Sequence, residues 1–264
     1  MIRPVSRVKQ VVRLVDVGMT YSARGSQTVA LAGMNLDIHH GEFLSVLGPS
    51  GCGKSTLLRC VAGLEKNTSG TIYCGDKVLD GPPDRLGVVF QRDVLLDWLT
   101  ILDNVLLVAG FRNKLTPAHT AAALALLERF GLKESASRHP WELSGGMRQR
   151  AAICRALLDE PELLLMDEPF GALDAMTRDD LNLELARLWQ DKQKSILFIT
   201  HSINEAVFLS DRIVIMDRNP GRIIETIEID LPRPRALAVR ESVEFGQYSR
   251  HIRHVFASLG IMKE

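Results

Sequence analysis

Apolar positions along this chain follow two rhythms. Val11-Val12-Arg13-Leu14-Val15-Asp16-Val17 alternates, and Leu36-Asp37-Ile38 leads through His39-His40-Gly41 into the unbroken apolar run Phe43 to Leu47. Alternation is the period of a half-buried strand; a short unbroken run is that of a strand buried on both faces. Residues 11–47 are therefore predicted to be rich in β-structure, with turns at Gly18 and Gly25. Thr71-Ile72-Tyr73 and Lys77-Val78-Leu79 flank Cys74-Gly75-Asp76, a hairpin pattern. Gly87-Val88-Val89-Phe90 reads as a further buried strand.

From about residue 93 to 158 the period becomes helical. Thr116-Pro117 reads as a helix start, with a capping hydroxyl and proline in the first turn. Leu124, Leu127 and Phe130 recur at helical spacing, and Gly131 offers a stop. Leu163 to Met166, Ser195 to Thr200 and Arg212 to Met216 are predicted buried strands, with a helix over Thr177 to Asp191 between the first two. Strands alternating with helices imply an α/β fold, a mainly parallel sheet covered on both faces. We read residues 1–232 as one domain and 233–264 as a short tail. The tail carries one amphipathic helix around Val243 to Leu259.

Composition narrows the classes. The chain has 264 residues, 46% of them hydrophobic, and a formal net charge of zero. A sizeable core is available at that length, and the absence of basic excess argues against a dedicated nucleic-acid binder. Cys52, Cys60, Cys74 and Cys154 form no C-x-x-C pair, which favours a reducing compartment over a disulfide framework. No apolar run is long enough to span a bilayer, and the basic segment Met1 to Gln10 is followed by strand-like alternation rather than a signal-peptide core. A cytoplasmic protein is expected, with any membrane role exercised through a partner.

Chemistry is concentrated in three places. Gly48-Pro49-Ser50-Gly51-Cys52-Gly53-Lys54-Ser55-Thr56 fits G-x-x-x-x-G-K-[ST], between a buried strand and a helix start. In such a loop the backbone N–H groups cradle phosphates, Lys54 reaches the β- and γ-phosphates and the Ser55 hydroxyl ligates Mg²⁺. A glycine-rich turn that binds nothing is the bland alternative, which the lysine, paired hydroxyls and strand–helix context disfavour. Asp167 and Glu168 end the strand Leu163 to Met166, at the edge where open α/β sheets bind ligands. A carboxylate there can hold Mg²⁺, and its neighbour can orient attacking water. Leu143-Ser144-Gly145-Gly146-Met147-Arg148-Gln149-Arg150 places an N-cap serine and two glycines at the positive end of a helix, a second anion site. An exposed Asp-Glu at a strand end and an ordinary capped helix are the plain readings of these last two.

Taken together, these motifs resemble the nucleotide-binding subunit of an ATP-binding-cassette (ABC) transporter, over nearly the whole chain and in the family's order. The fold implied is a P-loop NTPase core with a mainly parallel sheet, an antiparallel β subdomain and an inserted helical subdomain at about 93–158. The resemblance makes Gly48 to Thr56 the Walker A loop, Gln91 the Q-loop glutamine, Leu143 to Gln149 the family signature and Leu163 to Glu168 Walker B. Gly171-Ala172-Leu173-Asp174 matches the D-loop, His201 the switch histidine, and Tyr21 the aromatic that stacks on adenine. It implies ATP and Mg²⁺ as cofactors, with Ser55, Gln91 and Asp167 toward the metal and Lys54, Glu168 and His201 toward catalysis. Ser144, Gly145, Gly146 and Asp174 would serve a nucleotide across a head-to-tail homodimer. For His201 alone the plain alternative is a polar cap on the strand before it.

Two stretches further resemble the nitrate, sulfonate and taurine importer branch: Leu95-Leu96-Asp97-Trp98-Leu99-Thr100 with Asp103-Asn104-Val105, and Asn219-Pro220-Gly221-Arg222-Ile223 running to Asp230-Leu231-Pro232-Arg233-Pro234. That resemblance implies integral membrane permease subunits, an extracytoplasmic solute-binding protein and a peripheral position on the cytoplasmic face of the inner membrane. Met147 stands where the family signature has glutamine, and Asp97 where the branch pattern commonly has proline. The apolar residues Leu95, Leu96, Trp98, Leu99 and Val105 are either ordinary core or a groove for a permease helix. Another class stays open at this point, a non-transport ABC ATPase acting mechanically on nucleic acid or ribosomes. A kinase lid and a guanine-reading N-K-x-D motif are both missing.

Overall fold

The computed structural model describes residues 10–23, 25–111, 115–171, 173–192 and 194–262. Met1 to Lys9 and Ala172, both touched by the readings above, lie outside the described residues. The chain runs β1 (Gln10–Ala23), β2 (Ser26–His39), β3 (Phe43–Leu47), α1 (Lys54–Val61), β4 (Ser69–Cys74), β5 (Lys77–Val78) and β6 (Leu86–Val89). Then come α2 (Ile101–Phe111), α3 (Pro117–Arg129), α4 (Gly145–Leu157), β7 (Leu163–Asp167), α5 (Ala175–Lys192) and β8 (Ser195–Thr200). The remaining elements are α6 (Ile203–Leu209), β9 (Arg212–Asp217), β10 (Arg222–Glu228) and α7 (Val243–Ser258).

Two sheets form. The larger has the order β10-β9-β3-β8-β7-β6. Its five strands from β9 to β6 are parallel, and β10 closes the edge antiparallel to β9. The smaller sheet is antiparallel, ordered β2-β1-β4-β5. Alternation along each central strand divides the apolar side chains between two cores. Phe43, Leu47, Leu164, Met166, Ile196 and Phe198 face one side, packed with side chains of α2 to α7. Leu44, Val46, Leu163, Leu165, Leu197 and Ile199 face the other, packed with Val12, Leu14 and Ile38 of the small sheet and Leu57 and Leu58 of α1. The parallel sheet is thus covered on both faces, one of them by α1 and the second sheet rather than by helices alone.

Local departures have local causes. Gly18 lies inside β1 and makes no turn; the strand shifts register there and presses so close to the Ser69 side chain that a Cβ would collide with it. Thr116 is the N-cap of α3, but its hydroxyl meets His119 Nδ1 at 2.8 Å in place of a backbone N–H. On the same helix Ala123 and Leu127 reach the core, whereas Leu124 stays at the surface. The tail is built into the main body. Phe245, Ile252, Val255 and Phe256 of α7 join the helical-side core. Arg235, 5% exposed, donates to the carbonyls of Val207, Phe208 and Ser210 at the end of α6 and of Leu231. No helix among the described residues is long and apolar enough to cross a membrane.

Candidate functional site

The order β3-β8-β7-β6 brings four separated segments to one edge. Strands are spaced about 4.8 Å apart, so their carboxyl ends set the following residues side by side. The Gly48 to Gly53 loop follows β3, His201 follows β8, Asp167 ends β7 with Glu168 beside it, and Gln91 comes just after β6.

The loop is shaped by close approach from behind. Gly53 caps α1 in the left-handed region at φ 96°, where a side chain would also strike the Ala30 carbonyl. Gly221, between β9 and β10, lies so near the Cys52 carbonyl that a Cβ there would overlap it. The Asn219 to Ile223 stretch therefore buttresses the loop. Lys54 is buried, and its Nζ donates to Gly48 O at 2.8 Å and Pro49 O at 3.0 Å. Glu168 Oε1 lies 3.9 Å from the same ammonium. Cys52 turns its thiol inward, 1% exposed and pushed up in pKa by burial, with Sγ 4.0 Å from Lys54 Nζ. Pro49 and Ser50 form the outer rim, Gly51 lies exposed, and Thr56 is in the first turn of α1.

Asp167 is also buried, and burial raises its pKa; a hydrogen bond with the Ser55 side chain opposes that rise. Ser55 and Asp167 thus present two hard oxygens together, a donor set suited to Mg²⁺. Among the described residues no cluster of three or more His, Cys, Asp or Glu could hold a metal unaided. Such an ion would need phosphate oxygens as further ligands, as it does at phosphate-binding loops. Glu168 adopts φ 43°, its N–H donates to Ile199 O at 2.9 Å, and its Oε2 lies 3.2 Å from His201 Nδ1. A non-glycine residue in this region carries strain of about 1–3 kcal/mol, a cost found where side-chain aim matters. Lys54, Glu168 and His201 are therefore brought into one line of contacts. Tyr21, on β1, shares its hydroxyl between Thr56 Oγ1 at 3.4 Å and a very short bond to Glu65, leaving the ring partly exposed beside α1.

The second anion site stands apart. Ser144 caps α4, its Oγ accepting from Met147 N at 3.3 Å, and Ser144 and Gly145 are exposed. Among the described residues no hydrogen bond or ion pair joins Ser144, Gly145 or Gly146 to the loop before α1. Asp174 likewise faces outward: its Oδ1 accepts from Thr177 N at 3.0 Å as the cap of α5, and that bond lowers its pKa. The body of α4 instead grips the segment on both sides of Gln91. Arg148 Nε donates to Asp93 Oδ2 at 2.9 Å, Arg155 to the carbonyls of Asp93 and Val94 at 2.9 and 2.7 Å, and Gln149 to Phe90 O at 3.4 Å. Gln91 itself is exposed.

The apolar cluster after Gln91 divides. Leu95 and Val105 are core, Leu96 and Leu99 are half-buried, and Trp98 is 73% exposed. The loop is stapled by Asn104, wholly buried. Its amide nitrogen donates to the carbonyls of Leu96, Leu99 and Thr100 and its Oδ1 accepts from Leu96 N at 2.7 Å. Sequence reasoning missed Asn104, Glu65 and Glu205 as anchors. Asn104 is marked in the sequence only as part of the importer-branch stretch, and Glu205 only by the pattern Ser202-x-x-Glu205 of a capping box.

Comparison with known proteins identifies the family. The ABC transporter family matches residues 31–171. The chain is 42% identical over 236 residues to a taurine import ATP-binding protein of Pseudomonas aeruginosa, covering 88% of this chain and 90% of that protein. It is 45% identical over 210 residues to an aliphatic sulfonates import ATP-binding protein of Bacillus licheniformis, covering 80% and 81%. Among solved structures, a dimeric ATP-binding cassette in a post-hydrolysis state with ADP and Pi superposes with a TM-score of 0.76 at 33% identity, covering 84% of this chain and all of the other. By the family match over more than half of its length and by these relatives, this chain belongs to the ABC transporter family as an ATP-binding, ATP-hydrolysing member.

Proposed function

We propose that the protein energises import of a small anionic or zwitterionic solute, of the taurine or sulfonate kind, from the cytoplasmic face of the inner membrane. Two copies pair head to tail on permease subunits, and an extracytoplasmic binding protein delivers the solute. The observation that supports this most is the Lys54–Glu168–His201 line of contacts at the sheet edge of a chain so similar to taurine and sulfonate import subunits.

In this reading Gly48 to Thr56 wrap the phosphates of ATP with backbone N–H groups, and Lys54 exchanges its bonds to Gly48 and Pro49 for β- and γ-phosphate oxygens. Tyr21, held by Glu65 and Thr56, offers its ring to adenine. Ser55, Asp167 and Gln91 would hold Mg²⁺, which supplies charge neutralisation at the β- and γ-phosphates when bound. Glu168 orients or deprotonates the attacking water, and His201, fixed at 3.2 Å from it, contacts the γ-phosphate. Ser144, Gly145 and Gly146 of the second copy complete the site with a helix N-terminus, whose dipole carries roughly half a positive charge. Asp174 of that copy lies toward His201. Met147 withholds a side-chain amide, leaving the hydroxyl and backbone to meet phosphate. Trp98 and its loop receive a permease helix, and the grip of α4 on Asp93 and Val94 carries the docking to the signature end.

The test is reconstitution with the cognate permease and binding protein in vesicles. Taurine or an alkanesulfonate should raise the thermal midpoint of the binding protein and stimulate ATP hydrolysis by the assembled complex. Hydrolysis indifferent to every such solute, with normal turnover, would refute the import reading.

A further inference from the structure

The turn that carries His201 and the loop that carries Asp174 are fastened together at a buried carboxylate. Glu205, in the first turn of α6, is 5% exposed. Its Oε2 accepts from Thr200 Oγ1 at 2.5 Å, and its Oε1 lies 3.6 Å from Arg178 Nε. Thr200 Oγ1 also accepts from Ser202 N at 3.0 Å, and Ser202 Oγ from Glu205 N at 3.3 Å. Both neighbours of His201 are therefore bound into one ring of contacts. Arg178 belongs to the first turn of α5. It donates from its side chain to Leu173 O at 2.8 Å and from its backbone to Asp174 O at 3.0 Å. One guanidinium thus hydrogen-bonds the Leu173 carbonyl and stands at ion-pair distance from the Glu205 carboxylate, its buried Nε making no hydrogen bond, so charge rather than a donated proton links it to the switch turn. Burying a carboxylate for packing alone is unfavourable, and an apolar side chain would fill the space at less cost. Burial does push the Glu205 pKa up, and Arg178 opposes that rise.

We infer that Arg178 and Glu205 are a positioning pair, which holds the switch histidine in register with the Asp174 loop so that the two act together during ATP hydrolysis. The inference rests on the reading that His201 and Asp174 serve the reaction. Neither member of the pair touches nucleotide; each acts through the element that it fixes.

Steady-state ATPase of the full-length protein with Mg-ATP tests this, using R178A, R178K, E205Q and the R178A/E205Q double variant. R178A and E205Q should each lower kcat about tenfold or more while KM for ATP stays within about twofold, the mark of a contact felt in the transition state. R178K should recover about threefold or more over R178A, because it restores charge without the fork. The double variant should lie within about twofold of R178A alone, since the two act as one unit. R85A, which breaks the exposed Arg85–Glu162 pair far from the site, should leave kcat unchanged. If R178A does not fold, E205Q and R178K carry the same test. Unchanged kcat in folded E205Q, multiplying losses in the double variant, or KM and thermal midpoint falling in step with kcat would each overturn the pair. H201A separates the two levels: full turnover in H201A refutes the underlying reading, whereas loss in H201A with normal turnover in E205Q refutes the pair alone.

Discussion

The two proposed anion sites of this chain differ in how they are finished. At the loop before α1 every charged group has an answer from the same chain: Lys54 meets two carbonyls and Glu168, Glu168 meets His201, and Asp167 meets Ser55. At the start of α4, Ser144 caps its own helix and faces outward, and Arg148 and Arg155 of the helix hold Asp93 and Val94, just after Gln91. Both are helix N-termini with glycine and hydroxyl, yet one is cross-linked into the sheet edge and the other is presented. In the proposed head-to-tail dimer this difference would give the second copy its role. There the closed half-site would hold nucleotide, and the open helix end would serve a neighbour.

The largest expected effect tests the closed side. Glu168→Gln removes the charge beside Lys54 and His201 but keeps the shape. Turnover should fall more than a hundredfold, about 3 kcal/mol of transition-state stabilisation. ATP binding should persist and the protein should sediment as a dimer at saturating Mg-ATP. A monomer under those conditions would break the comparison at its base.

Mixing two inactive variants addresses the open side. Lys54→Ala should lose ATP affinity and Ser144→Arg should block the presented helix end, each leaving little activity. In a head-to-tail pair formed from one of each, both lesions fall in the same composite site and the other site is intact. Co-assembly at equal amounts should restore roughly a quarter of wild-type hydrolysis, from half the dimers with one site each. Absence of recovery in verified mixed dimers would mean that the two ends do not meet across copies.

A smaller effect concerns what the signature helix holds. Trp98→Ala removes the exposed ring without touching the Asn104 staple. Solute-stimulated transport should fall several-fold while basal ATPase stays within about twofold, since only docking is disturbed. Equal loss of both would place Trp98 in the fold rather than at the permease.

The smallest is a stability effect at the closed site. Burial raises the Asp167 pKa above its unfolded value, so the folded protein binds more protons between those two values. Stability contributed by this carboxylate therefore falls as pH rises through that window, and its cost is full above the folded pKa. Asp167→Asn should melt slightly higher than wild type at neutral pH without nucleotide, the gap closing toward pH 4, while Mg-ATP hydrolysis is lost. An unchanged or lowered midpoint at neutral pH would contradict this account.

Much of the molecule was legible in the residues themselves. Periodicity found every central strand, because a strand buried on both faces must be apolar at each position, as Leu163 to Met166 and Ser195 to Thr200 nearly are. Glycine and lysine spacing pointed to the loop before α1, because that spacing can leave backbone N–H groups inward with a cation at their centre. The asymmetry between the anion sites was not legible: it depends on strand order, which sets His201 between β3 and β7 although it follows Glu168 by more than thirty positions. The division of the Leu95 to Val105 cluster was hidden for a similar reason. Hydrophobicity marks Trp98 and Leu95 alike, and only the Asn104 staple decides which of them faces solvent. Sequence determined what was local and periodic: elements, loops and the chemistry of each motif. Tertiary structure decided which motifs share a site, because contacts such as Arg178 with Glu205 or Gly221 with Cys52 are made between segments whose distance along the chain says nothing about their distance in space.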